Sequence, residues 1–309
     1  MELFPEILGR STAMRHLFER MARFAGSDLA IHVYGETGTG KEKVARALHA
    51  RSRRPGPFVA VNAAGLGDEL FHGQLFGHRR GAFTGAVADQ RGYVAAAEGG
   101  TLFLDEVAEL SRCSQARLLR FLQEREYEPL GETRPRRANV RLITATNVRL
   151  GELVDEGRFR RDLLYRLDGV TLDVPPLRER PEDLRLLAEH FREEDARRDG
   201  CARPEATPEF WPTLYAYDWP GNVRELELVL KRAFVQAKGR LLTPEDLAPH
   251  VPDAAPRAPS LRSFLLACER THVARVLAQN GGVRQATAAA LGITRQALHA
   301  KLRRFGLAG

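Results

Sequence analysis

The chain has 309 residues, enough for one large domain and smaller ones, because single hydrophobic cores stop growing at roughly 250 to 300 residues. Charged residues make up 28% and the formal net charge is +7, which suits phosphate-bearing partners but identifies none. Three widely spaced cysteines argue against a disulfide framework or a zinc site and suit a reduced cytoplasm. The sequence shows no signal peptide and no apolar span of roughly 18 residues, so we expect a cytoplasmic protein without membrane contact.

The first predicted element is the apolar strand Leu29–Tyr34, and a glycine-rich loop follows it. The loop residues are Gly35, Glu36, Thr37, Gly38, Thr39, Gly40, Lys41 and Glu42. Glycines let backbone N–H groups converge on phosphate oxygens, and Lys41 adds a charge for the β and γ phosphates. Glu42 stands where the general motif has a Ser or Thr magnesium ligand, so the loop predicts ATP binding but leaves the metal shell open.

A short segment with no place in nucleotide chemistry follows the next predicted strand, Phe58–Val61. Its residues are Gly81, Ala82, Phe83, Thr84, Gly85 and Ala86. Glycine at positions 81 and 85, one aromatic ring and no charge suit a mobile loop tip that presents Phe83 to a partner. The segment alone is also compatible with any glycine hairpin.

Two carboxylates, Asp105 and Glu106, end the apolar strand Thr101–Leu104. Such an arrangement puts one carboxylate on magnesium (Mg2+) and the other beside an attacking water. Either this motif or the glycine loop alone is also compatible with a plain turn or a solvated strand end. Both in order predict ATP hydrolysis, and with the strand Val140–Ala145 they predict an α/β fold with a parallel sheet between helices.

After Pro175 and Pro176 the strand pattern stops. Helical periods cover Glu182–Asp199, Pro208–Tyr217 and Asn222–Gln236. The predicted units are 1–174 for the α/β subdomain, 175–251 for a helical subdomain, 252–259 for a proline-containing tether and 260–309 for a small all-α module.

The last module has a helix-turn-helix pattern. Ser260 is a candidate N-cap for a helix through Gln279, and a small-residue helix, a turn at Gly292 and a second helix follow. The second helix leaves polar groups for a DNA groove: Thr294 (also its N-cap), Arg295, Gln296, His299 and Arg303. A plain helical hairpin with a basic face is the alternative.

Together these motifs resemble the bacterial enhancer-binding proteins, the AAA+ activators of RNA polymerase carrying sigma-54, whose signature GAFTGA is residues 81–86 here. The resemblance covers nearly the whole chain. It implies an AAA+ P-loop sheet with a helical lid, a GAFTGA loop that contacts sigma-54, and a Fis-type module that dimerises and binds enhancer DNA. ATP hydrolysis would convert the closed sigma-54 polymerase holoenzyme complex at a promoter to the open one.

The resemblance also assigns roles at the strand ends: Asp105 holds magnesium and Glu106 activates water. Asn62 matches the family's switch residue, which grips the catalytic Glu, although a buried Asn that satisfies a turn is the alternative. Thr146 and Asn147 match the first sensor of the γ phosphate, but strand-end capping uses the same residue types.

Three arginines receive roles in the same way. Arg224, in the string Trp219–Leu226, resembles the second sensor, which reports nucleotide state to the helical subdomain. Arg160 and Arg166 match the family's arginine fingers, which complete the site of a neighbouring subunit. The implied active form is a homo-oligomer, from a dimer to a hexameric ring. The alternative interpretation of Arg160 and Arg166 is an arginine-rich solvated helix.

Two departures and the chain start limit these implications. Gln74 and Arg79 replace the family's usual acids before the GAFTGA segment, so the charge at the loop base is reversed and the coupling to sigma-54 is in doubt. The ATPase signature begins at Ile7. We therefore expect no amino-terminal regulatory domain and control in trans by a partner protein or by expression level, unless the chain is truncated.

Two other functions stay open at this point. One is a DNA-bound AAA+ remodeller that never contacts sigma-54, and the intact GAFTGA segment speaks against it. The other is a non-catalytic DNA-binding repressor whose ATP site only controls assembly. The retained Lys41, Asp105 and Glu106 speak against the repressor.

Overall fold

The computed structural model describes residues 3–64, 67–82, 86–200, 205–237, 239–247, 269 and 272–305, with only the backbone for Glu69, Arg303 and Arg304. Phe83, Thr84 and Gly85, the tether 252–259 and the helix start predicted at Ser260 lie outside these residues. The chain divides into two compact units: the first holds residues 1–176 and 221–224, and the second holds 177–220 and 225–309.

The first unit contains a five-stranded sheet and two short hairpins. Its strands are β1 (Ile31–Tyr34), β2 (Phe58–Asn62), β3 (Gly77–His78), β4 (Gln90–Arg91), β5 (Thr101–Asp105), β6 (Glu126–Tyr127), β7 (Arg136–Arg137), β8 (Arg141–Thr146) and β9 (Val170–Asp173). The main sheet has the order β2-β5-β8-β1-β9 with every pairing parallel. The predicted α/β class is confirmed.

Helices cover both faces of this sheet. They are α1 (Thr12–Phe24), α2 (Lys41–Ala50), α3 (Asp68–Phe76), α4 (Tyr93–Ala96), α5 (Arg112–Glu124), α6 (Leu150–Asp155) and α7 (Arg161–Leu167). Side chains of β5 alternate between two cores because successive strand residues point to opposite faces. Phe103 packs with α1 and α2, whereas Leu102 and Leu104 pack with α3, α5, α6 and α7.

Strand β9 is not among the predicted strands. Val170 and Leu172 are buried, but the partly buried Thr171 and exposed Asp173 interrupt the apolar run. The strand pairs with β1 from Ile31 to Tyr34. Its place in the sheet therefore depends on a partner far away in sequence rather than on its own composition.

The second unit is helical. Its helices are α8 (Pro181–Asp199), α9 (Phe210–Ala216), α10 (Asn222–Ala237), α11 (Pro244–Leu247), α12 (residues 272–279), α13 (Arg284–Ala290) and α14 (Arg295–Phe305), and the start of α10 belongs by contacts to the first unit. Buried Trp219 donates its indole N–H to the carbonyl of Leu214 at 3.0 Å, which fixes the turn before α10. None of the helices within the described ranges is long and apolar enough to cross a lipid bilayer.

Candidate nucleotide-binding and DNA-binding sites

The predicted nucleotide-site residues gather at one edge of the parallel sheet. Asn62 at the end of β2 lies opposite Asp105 at the end of β5. Tyr34 at the end of β1 lies opposite Thr146 at the end of β8, and the N–H of Gly35 donates to the Thr146 carbonyl at 3.2 Å. The carboxyl ends of parallel strands are where α/β proteins bind ligands, so the register assembles one candidate site from distant segments.

The phosphate loop is ordered around Lys41, which begins α2. The Lys41 ammonium is 7% exposed and donates to the carbonyls of Gly35 at 2.8 Å and Glu36 at 3.5 Å. Burial lowers the Lys41 pKa, Glu106 and Asp105 raise it, and Arg224 lowers it, with a net lowering. The charge is therefore held inside the loop that would receive phosphate.

Residues 221–224, which are distant in the sequence, hold the phosphate loop in place through hydrogen bonds. Asn222, with an exposed fraction of 0%, adopts the left-handed conformation (φ 53°) and donates its amide to a carboxylate oxygen of Glu36 at 3.1 Å and the carbonyl of Thr37 at 3.0 Å. The N–H groups of Val223 and Arg224 donate to the Gly38 carbonyl at 3.0 and 3.3 Å. Sequence reasoning missed Asn222; its only signal was its place between Gly221 and Arg224.

Gly38→Ala is expected to weaken ATP binding about tenfold to a hundredfold, because a strained backbone costs roughly 1–3 kcal/mol. Gly38 has φ +80°, and an added Cβ would lie 2.1 Å from the Gly221 carbonyl oxygen. Titration with a fluorescent ATP analogue measures the effect. Gly151→Ala in α6 is the matched control, since an added Cβ there has no neighbour within 4 Å; equal affinities for both variants would contradict the bracing role.

Glu106 occupies an unusual backbone position directly after β5. Its φ of 52° and ψ of 46° are left-handed, a conformation that non-glycine residues adopt mainly where surrounding structure enforces it. The carboxylate lies 3.8 Å from the Lys41 ammonium. Burial first, and then Asp105, raise the Glu106 pKa against the lowering effects of Lys41 and the Asn147 backbone N–H. A raised pKa makes this carboxylate a stronger base than an ordinary glutamate.

The predicted sensor and switch residues take two kinds of contact. The Asn147 amide donates to the Thr37 hydroxyl at 3.1 Å, which ties the end of β8 to the phosphate loop. The buried Thr146 hydroxyl instead accepts from the N–H of Val148 at 3.2 Å, as in strand-end capping. The side-chain oxygen of Asn62 accepts from the N–H of Ala64 at 2.8 Å, a local turn contact like that of the alternative interpretation, although Asn62 is exposed rather than buried.

Asp105 is a better candidate for a magnesium ligand than Glu42. The Glu42 carboxylate accepts from Arg46 one helical turn later, at 2.9 and 2.6 Å. Across the part of the chain that the structure describes, no group of three or more His, Cys, Asp or Glu side chains could hold a metal ion. A magnesium ion that shares its shell between one carboxylate, phosphate oxygens and water needs no such group, and Asp105 at the sheet edge can supply that carboxylate.

Both predicted finger arginines lie on the α7 side of the first unit. The Arg160 guanidinium, with its side chain 38% exposed, pairs with both oxygens of Asp162 at 3.0 and 2.7 Å. The exposed Arg166 donates to the carbonyl of Leu122 in α5 at 3.1 Å. Both guanidiniums are thus held by groups of the same chain.

Arg79 at the base of the GAFTGA segment has acidic partners in two other segments, just before β4 and between β6 and β7. Its guanidinium contacts Asp89 at 2.5 Å and Glu132 at 3.0 Å, and Glu132 also pairs with Arg136 at 2.7 Å. The ends of the segment meet where the N–H of Gly81 donates to the Ala86 carbonyl at 2.8 Å. The charge reversal at Arg79 is therefore balanced by acids from elsewhere in the first unit.

The helices α12 to α14 form a small core of their own. Its buried members are Val273, Ala288, Leu298 and Leu302. The Thr294 hydroxyl accepts from the Ala297 N–H at 3.2 Å, as expected of an N-cap, and Gly292 has a positive φ of 64° at the turn. Arg295, Gln296 and His299 are exposed at the start of α14, whereas the Arg303 side chain lies outside the described residues.

The parallel sheet and the phosphate loop define a P-loop nucleoside triphosphatase of the AAA+ class. Family models match the chain as a sigma-54 interaction domain at residues 7–173, an AAA+ ATPase lid domain at 178–263 and a bacterial regulatory protein of the Fis family at 267–305. The chain belongs to the family of sigma-54-dependent transcriptional regulators, so the resemblance inferred from the motifs is confirmed.

Individual relatives agree with this assignment. The chain is 45% identical over 307 residues to the C4-dicarboxylate transport transcriptional regulatory protein DctD of Pseudomonas aeruginosa, covering 99% of this chain and 65% of that protein. It is 43% identical to the transcriptional regulatory protein ZraR of Salmonella typhimurium, and the match covers 96% of this chain and 68% of that protein. The crystal structure of Brucella abortus NtrX in complex with ADP matches with a TM-score of 0.75 and 35% identity, covering 97% of this chain and 70% of that chain.

Proposed function

We propose that this protein is an ATP-hydrolysing activator that binds enhancer DNA and remodels sigma-54 RNA polymerase from the closed to the open promoter complex through its GAFTGA loop. One observation carries the proposal: the phosphate loop, the pair Asp105 and Glu106, and Asn147 converge at one sheet edge. NtrX, 35% identical, was crystallised with ATP, which supports ATP as the nucleotide.

Each residue at this edge has a chemical task. Lys41 and the loop N–H groups bind the β and γ phosphates, and Arg224, whose charge acts on Lys41, reports on the same phosphates. Asp105 would hold a magnesium ion, which when bound would neutralise the developing phosphate charge. Glu106 takes the proton of the attacking water, and its raised pKa keeps it basic enough for that transfer.

The output of the site is proposed to pass to the GAFTGA loop. Phe83 and Thr84 contact sigma-54, and the ion pairs of Arg79 with Asp89 and Glu132 hold the loop base. Arg160 and Arg166 act on the nucleotide of a neighbouring subunit, so the active form is a ring, proposed as a hexamer. Control by a partner protein in trans stays a prediction, as does the cytoplasmic compartment.

Heparin-resistant open-complex formation by sigma-54 polymerase, with enough activator to bypass the unknown enhancer, tests the proposal. We expect opening that requires ATP. Thr84→Ala is expected to keep ATP turnover and to lose opening, because the proposal assigns the loop threonine to sigma-54 contact rather than to nucleotide chemistry. Brisk ATP hydrolysis without opening by the unaltered protein would instead favour a remodeller with another target.

Arg295→Ala is expected to weaken DNA binding about fivefold to a hundredfold, because a good contact to a base edge is worth roughly 1–3 kcal/mol. Arg295 is exposed at the start of α14. Filter binding at several salt concentrations measures the change, and basal ATP turnover should be unaltered. Arg275→Ala in α12 is a matched control, since its guanidinium pairs with His272 on its own helix; unchanged affinity in Arg295→Ala would remove Arg295 from the interface.

A further inference from the structure

The α5 residue Gln115 bonds to three main-chain groups of the first unit, one just before α5 and two in the segment before α7. Its side chain has an exposed fraction of 0%. Its amide nitrogen donates to the carbonyl of Leu110 at 2.8 Å and to that of Arg158 at 3.0 Å. Its carbonyl oxygen accepts from the N–H of Arg160 at 2.9 Å. Both donors of the carboxamide and one acceptor site are therefore satisfied by main-chain groups, one of them close in the sequence and two of them distant.

The segment before α7 is fixed from two sides. The N–H groups of Arg158 and Phe159 both donate to the Leu153 carbonyl, at 2.8 and 2.9 Å, and the Phe159 ring is 1% exposed. Gln115 then fixes the main chain on either side of Phe159. The Arg160 backbone is thus fixed by hydrogen bonds, whereas its side chain is 38% exposed.

We infer that Gln115 is a positioning residue that aims Arg160 at the nucleotide of the neighbouring subunit, an inference that rests on the finger role proposed for Arg160. An arginine that must reach developing phosphate charge needs a fixed backbone, because a misplacement of about 1 Å can cost a hundredfold in rate. Only an amide meets both carbonyls and the N–H at once. A carboxylate would face the Leu110 and Arg158 carbonyl oxygens without a donor.

The test uses mixed oligomers of full-length variants. A Lys41→Ala subunit lacks a working phosphate loop but supplies fingers, and an Arg160→Ala subunit lacks the finger but supplies a site. Each alone should be inactive, and their mixture should regain ATP turnover. Gln115→Met, which removes all three hydrogen bonds at similar volume, is then placed in one partner at a time.

In the Lys41→Ala finger donor, Gln115→Met is expected to lower the regained turnover about tenfold to a hundredfold. In the Arg160→Ala partner it should change turnover less than twofold, because that subunit has no finger to aim. A general folding defect would lower turnover in both placements. Equal losses in both, or none in the donor, would overturn the positioning role.

Gln123→Met on the same helix is the matched control, since Gln123 is exposed, and it should be silent in both placements. ATP-analogue binding and thermal unfolding of each variant report separately on the nucleotide site and on folding. If Gln115→Met fails to fold, Gln115→Asn, which keeps the amide but shortens the side chain, is tested in the same two partners. The same outcomes then support or overturn the positioning role. No regained turnover in the parental mixture would overturn the finger assignment, and the role of Gln115 with it.

Discussion

Glu106→Gln is expected to lower ATP turnover by about 10²–10⁴-fold while ATP binding is kept. The amide retains the shape of the side chain but cannot accept the proton of the attacking water. Lys41 and the glycine loop are unchanged, so the phosphates are still bound. Steady-state phosphate release and ATP-analogue titration on the same preparation measure the two effects.

Glu109→Gln is the matched control for this change. Glu109 is exposed and lies in the 3-10 turn Val107–Glu109, for which Glu106 is the N-cap. The same loss of charge there should leave turnover near normal at pH values above the raised Glu106 pKa. Turnover equal to the unaltered protein in Glu106→Gln would assign the base to another residue.

The pH dependence of turnover follows from the same carboxyl group. Burial raises the Glu106 pKa above its ordinary value of 4.5, and a general base acts only when deprotonated. Turnover should therefore be full above the raised pKa and fall as the pH drops through it. Glu109 is one of the charges that raise this pKa, so Glu109→Gln should move the acidic limb of the profile to lower pH.

Arg160→Ala and Arg166→Ala are each expected to lower ATP turnover about a thousandfold with little change in ATP binding, because an arginine finger is worth roughly 10³–10⁵ in rate. Within their own subunit these guanidiniums pair with Asp162 and with the Leu122 carbonyl. A planar guanidinium can exchange such a partner for phosphate oxygens presented by a neighbour. Turnover at saturating ATP, measured over a range of protein concentrations, tests this dependence on assembly.

Arg161→Ala separates a finger from the general abundance of arginine. Arg161 begins α7, is exposed, and approaches Asp155 at 4.0 Å. Loss of this neighbouring charge should leave turnover near normal at every protein concentration. If all three variants behave alike, or if Arg160→Ala and Arg166→Ala both turn over normally, the finger assignment is wrong.

The sequence predicted features whose parts are adjacent in the chain. The loop at Lys41, the pair Asp105 and Glu106, and the α13–α14 turn at Gly292 are each defined within a few residues. Their function depends on local backbone geometry and on residue type, and both are written in one segment. The family could be predicted for the same reason, since its signatures are contiguous strings.

The fate of single polar groups could not be predicted in this way. Asn62 was open to two interpretations, and its side chain bonds to the N–H of Ala64. Arg79 left loop coupling in doubt, yet Asp89 and Glu132 balance its charge. Either outcome depends on which groups the fold brings within hydrogen-bond distance, and no pattern along the chain encodes that distance.

The class of chemistry, the family and the order of the domains could be read from contiguous motifs. The distant residues that hold these motifs in place emerge only in the folded chain: Asn222 bonds to Glu36 across 186 positions, and Gln115 to Arg160 across 45. Both amides are fully buried, and a buried polar group must find a partner wherever packing puts one. The packing of whole strands and helices determines which partner that is, and a short sequence motif carries no information about this packing.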